Sequence, residues 1–102
     1  MIYRLYGFKN RLLGSFESPV ASNLEGKDYI EGLSMSLISS EIGVLVRYKE
    51  FDVYCLGEMD SKSGEILSKC DFVESLEPIC VRLIEHKEKG ADHGREEVKK
   101  VD

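Results

Sequence analysis

Two prolines in 102 residues exclude extended proline-rich linkers. The three cysteines, Cys55, Cys70 and Cys80, form no CxxC pair, and an odd count does not build a disulfide framework. They point to a reduced, cytosolic setting. The only histidines are His86 and His93, and neither has a cysteine at zinc spacing. No GxGxxG or Walker loop cradles a phosphate. No apolar run approaches the ~20 residues needed to cross a bilayer. The first ten residues, MIYRLYGFKN, lack the apolar stretch of a signal peptide. The sequence also lacks an activated nucleophile or a paired acid and base. These absences predict a non-enzymatic protein without metal or cofactor.

What is present is an ordinary globular composition, 42% hydrophobic and 32% charged. A chain of this length builds one domain with a single modest core. The expected boundaries are a domain over residues 1–85 and a charged, disordered tail over 86–102. That tail has almost no apolar residues with which to offset the entropy of ordering. The formal net charge of −5 argues against broad electrostatic binding of nucleic acid, and against an anionic membrane as partner.

Periodicity predicts an α+β fold: a small antiparallel sheet with one main amphipathic helix on one face. Ile2 to Phe8 is rich in aromatic and β-branched residues and reads as a strand. Ser15 to Val20 reads as a short second strand, confined by Pro19 to an edge or an end. Ser22 and Glu25 have capping-box spacing, predicting a helix from there to about Ser40. Its apolar stripe is Tyr29, Ile30, Leu33, Leu37 and Ile38. Ile42 to Arg47 is β-prone, or else a loop packed on the core. Ile79 to Ile84 reads as a last strand or a helical turn.

The clearest local signal is a β-hairpin over Phe51 to Phe72. Phe51, Val53 and Cys55 share one face of its first strand, and Asp52, Tyr54 and Leu56 share the other. Asp60-Ser61-Lys62-Ser63-Gly64 supplies turn chemistry, with Gly64 expected at positive φ. The same segment is not a calcium loop, because Lys62 occupies a ligand position and glycine falls one place early. Cys55 and Cys70 lie near each other across such a hairpin, as core thiols rather than a redox pair. Ile30, Leu33, Leu37, Val53, Cys55, Ile66 and Phe72 are the expected core.

One segment stands apart. Residues 1–16 contain no acid, yet they hold Arg4, Lys9 and Arg11 beside Tyr3, Tyr6, Phe8 and Phe16. Aromatic rings next to cations are what single-stranded nucleic acid requires, stacking for bases and charge for phosphates. The candidate contact residues are therefore Tyr3, Arg4, Tyr6, Lys9 and Arg11. Core packing of the same aromatics is the competing reading.

The order of these features, with YGFKN, then GSFESPVASN before a helix, then FDVYCLGEMDSKSG, resembles the small non-structural proteins of gokushovirus-type microviruses. Phe51, Asp52, Val53, Tyr54, Leu56, Gly57, Glu58, Met59, Asp60 and Gly64 carry most of the likeness. Phe51-Asp52 inverts the family's usual acid–aromatic order, and EIGVLVRYKE lacks its His-Pro. The resemblance covers about residues 1–72. It implies an accessory factor for single-stranded DNA replication or packaging, acting in the host cell cytoplasm. The expected partners are single-stranded DNA or, in the alternative, viral replication or capsid proteins bound without contact to DNA.

Overall fold

The aromatic N-terminal run forms β1, Ile2–Asn10, and the chain returns along it twice, as β2, Ser15–Phe16, and β3, Val20–Ser22. The structure is a computed structural model that describes the backbone of residues 1–101 and the side chains of residues 1–89. Two helices follow, α1, Gly26–Ile38, and α2, Ile42–Tyr48. The hairpin strands β4, Phe51–Asp60, and β5, Ile66–Ser75, lead into α3, Glu77–Val101. All strand pairs are antiparallel, in the order β2-β1-β4-β5, with β3 also paired to β1. The expected α+β architecture is therefore present, with three helices instead of one.

Both hairpins close with the same device. In the β4–β5 turn the Asp60 carboxylate accepts the backbone N–H groups of Lys62 and Ser63, and the Gly64 N–H donates to the Asp60 carbonyl. After β1, Asn10 Oδ1 accepts from Leu12 and Leu13, and Gly14 N–H donates to the Asn10 carbonyl. Gly14 and Gly64 sit at φ 72° and 76°, as the left-handed closing position requires. A short acceptor side chain four residues before a glycine is thus a complete local instruction.

The core lies between the sheet and the helices. Tyr6 and Phe8 of β1, with Phe51, Val53 and Cys55 of β4, face Leu37, Leu45, Leu76 and Cys80. Tyr29, Ile30, Leu33 and Leu83 pack around them, half-buried. Ring contacts tie the layers: Phe8 meets Phe51 edge-on at 6.3 Å, and Tyr48 lies 5.7 Å from Phe51. Tyr6 stacks on Tyr29 at 4.0 Å, and its hydroxyl donates to the Leu24 carbonyl at 2.6 Å. Burial pushes the hydroxyls of Tyr6 and Tyr29 above their ordinary pKa, which keeps the Tyr6 proton in place for its bond to Leu24.

Several expectations are corrected. Ile42 to Arg47 is helical, because α2 inserts Leu45 fully into the core and both neighbours of β4 are already taken by β1 and β5. Tertiary burial outweighs the tenths of a kcal/mol by which valine and isoleucine disfavour helix. The helix α1 starts at Gly26, after an extended Glu25 with no side-chain cap. Ser22 is held in β3 opposite Arg4, so its hydroxyl accepts only the Leu24 N–H. Of the two forms expected for Ile79 to Ile84 the helical one is present, as part of α3, and residues 86–89 continue that helix where the tail was expected to begin. Beyond residue 89, whether the tail packs lies outside the residues whose side chains are described. Finally, Ile66 and Phe72 are 63% and 57% exposed and do not join the core.

Candidate binding surface

The helices cover only one face of the sheet. On the other, Tyr54 of the central strand β4 stands between two further rings. Phe16 of β2 meets it edge-on at 5.5 Å, and Phe72 of β5 does so at 5.6 Å. Edge-to-face pairs of this kind contribute about 0.5–1.5 kcal/mol each beyond area burial. Lys9 of β1 reaches over both Phe16 and Tyr54, its ammonium 5.8 and 5.9 Å from the ring centroids. The side chain of Leu56 leans over Gly7, next to Phe16. The result is an aromatic row with rings from β2, β4 and β5, flanked by one ammonium from β1. Phe16 remains 40% exposed, so the row is open to solvent along with Phe72.

Strand alternation places these residues. Phe51, Val53 and Cys55 point to the helices, which sends Tyr54 and Leu56 the other way. The register pairs Gly7 with Tyr54 and Lys9 with Asp52 and Phe16. A register shift then lets Phe72 face Tyr54 directly. On β4 beside β5, Gly57 is required: a Cβ there would stand 2.8 Å from the Leu67 carbonyl oxygen.

The residues expected to contact nucleic acid fall into different environments. Tyr6 is 0% exposed and sealed under α1, so it presents no ring face to a base. Its burial follows from the core-facing parity of β1 rather than from any binding role. Arg11 is drawn into the protein. Its guanidinium donates to Asp52 Oδ1 at 2.6 Å, Glu77 Oε2 at 2.6 Å, Ser75 Oγ at 3.1 Å, and the carbonyls of Phe51 and Lys49. Arg4 stands 3.9 Å from Glu58, and Tyr3 is half-buried opposite Met59. Lys9 alone belongs to the open aromatic face. Sequence reasoning missed Tyr54 and Phe72 as its companions: the alternation of β4 separates Tyr54 and Leu56 from Val53 and Cys55, and only the placement of the helices leaves the former pair on the open face.

The hairpin carboxylates are engaged locally. Glu58 accepts a 2.9 Å bond from Lys69, which holds its carboxyl below the usual range. Asp60 is lowered by the backbone N–H groups of Lys62 and Ser63. All three cysteines are free thiols, with Cys55 and Cys80 buried and Cys70 exposed. Among the described residues, no helix is long and apolar enough to cross a membrane. Compared with known proteins, the chain matches no family, no curated protein and no solved structure.

Proposed function

We propose that this protein is a non-enzymatic accessory factor that works by docking a partner protein on the open face of its sheet. The observation that carries the proposal is the uncovered row Phe16, Tyr54 and Phe72 with Leu56 beside it. Contiguous apolar surface of this sort marks an interaction site, since leaving it in water forfeits about 25 cal/mol per Å². The resemblance to microvirus proteins supplies the partner class: a viral replication or procapsid protein, met in the host cell cytoplasm during single-stranded DNA replication or packaging.

A second reading has its own support. Three rings and one ammonium also suit bases and a phosphate of single-stranded DNA. The charge balance favours the first. With Arg4 and Lys69 paired to Glu58 and Arg11 to Asp52, Lys9 is left as the cation beside the rings, in a chain of net charge −5. A single phosphate contact gives a salt slope of only about −0.7, too little for an electrostatically driven binder.

Phe72→Glu tests the proposal without touching the core. Tagged wild-type protein should retain a viral replication or procapsid protein from infected cells after nuclease treatment, and the variant should lose it. Capture that disappears with nuclease would move the second reading into first place. Capture indifferent to the charge at position 72 would remove the sheet face from consideration. Fluorescence anisotropy with a short single-stranded oligonucleotide at low salt measures the DNA reading directly.

A further inference from the structure

A second surface lies in the helical layer, away from the aromatic face. Ser34 and Ile38 of α1 form one wall of an open groove, and Ile79, Arg82, Leu83 and His86 of α3 form the other, enclosing about 390 Å³. The α3 residues recur at i, i+3, i+4 and i+7, which aligns them as one stripe along the helix. The α1 pair is spaced by four and is aligned likewise. The floor is apolar, with Ile38 exposed and Ile79 and Leu83 half-buried. The two basic side chains stand on the same wall. Neither Arg82 nor His86 makes an ion pair or a side-chain hydrogen bond among the described residues, whereas Arg4, Arg11, Arg47 and Lys69 are each paired to acids.

What singles Arg82 out is its place: its guanidinium and the His86 imidazole line an apolar trough between helices. A trough of this form receives the apolar face of an amphipathic helix, read at i, i+3, i+4 and i+7. Charge at its edge selects the polar flank of that helix. We infer that the α1–α3 groove is a docking site for an acidic amphipathic helix of a partner protein. Leucine-type side chains would lie on Ile38, Ile79 and Leu83, and carboxylates would pair with Arg82 and accept a hydrogen bond from the His86 ring. Together with the sheet face this gives the protein two binding surfaces on its two layers, the arrangement of an adaptor. The inference does not depend on what binds the sheet.

The experiment uses the full chain and two fluorescein-labelled helical peptides of about 18 residues, long enough to form helix on the groove. Both carry Leu at i, i+3, i+4 and i+7. One carries Glu on its flanks and the other Lys. The acidic peptide should bind at least about tenfold more tightly than the basic one by anisotropy. Arg82→Glu should reverse that order, a charge-swap rescue that a merely structural arginine does not produce. Ile38→Asp, at an exposed position, should weaken both peptides while circular dichroism shows an unchanged fold. Phe72→Glu should leave both unaffected, separating this site from the sheet face. Equal binding of the two peptides, or an order unchanged by Arg82→Glu, would overturn the inference. So would sedimentation showing self-association that Ile38→Asp abolishes, which assigns the groove to a second copy. Binding of octanoate without binding of the peptide would overturn it too, assigning the groove to a small anionic amphiphile.

Discussion

Replacing Arg11 by Ala should destabilise the fold by about 2 kcal/mol. The guanidinium joins the end of β1 to the start of β4, the end of β5 and the start of α3 through five acceptors. These bonds do not contribute equally. Glu77 is 60% exposed at its side chain, so that pair is largely screened and contributes a few tenths of a kcal/mol. Asp52 is only 16% exposed, and losing its 2.6 Å partner leaves a poorly hydrated carboxylate. Hydrogen bonds to charged groups in such places contribute about 1.5–3 kcal/mol, reduced here because Arg11 itself is 31% exposed. Urea unfolding followed by circular dichroism should show a midpoint lowered by about 1–2 M. Arg11→Lys should recover less than half of the loss, since one ammonium cannot span a fork of five acceptors. A variant within about 0.5 kcal/mol of wild type would refute the clamp. It would also return Arg11 to the pool of side chains available to a phosphate.

Leu37→Ala should cost about 2–5 kcal/mol, because Leu37 is 2% exposed at the centre of the core, and Leu33→Ala should cost less, since Leu33 is only half-buried. Equal losses at the two positions would contradict the packing described. Acid should destabilise the hairpin. The folded pKa values of Glu58 and Asp60 lie below their ordinary 4.5 and 3.8, so their stabilisation is present above those values and is lost as pH falls through the lower, folded ones. Glu58→Gln should therefore flatten the acid limb of a melting-temperature profile. Lys69 is raised above 10.5, chiefly by its bond to Glu58, so its share persists below that pH and disappears as pH climbs through the folded value. An acid limb unchanged by Glu58→Gln would show that the pair is not formed in solution.

Where local chemistry sufficed, the sequence was legible. Asp60 and Gly64 define their turn without help, and the apolar alternation of β4 defines its strand. Where partners are remote it was not. Arg11 looks like a free cation because Asp52, Ser75 and Glu77 lie 41, 64 and 66 residues away along the chain. The two faces of β4 are both apolar, so nothing in the strand itself says that helices cover Val53 and leave Tyr54 on the open face. The placement of Phe72 inverted for that reason. In α2 the β-branched residues speak for a strand, and only the demand for Leu45 in the core speaks for a helix. Ser22 and Glu25 carry a sound capping signal that strand pairing to Arg4 overrides.

The bare aromatic face has a colloidal consequence. Two molecules that meet sheet to sheet would bury rings from both, and only mutual repulsion opposes the encounter. The net charge of −5 supplies that repulsion at neutral pH. As acids titrate, the repulsion fades while the rings remain, so precipitation should precede unfolding on mild acidification. Salt, which screens the charge without weakening the rings, should act in the same direction.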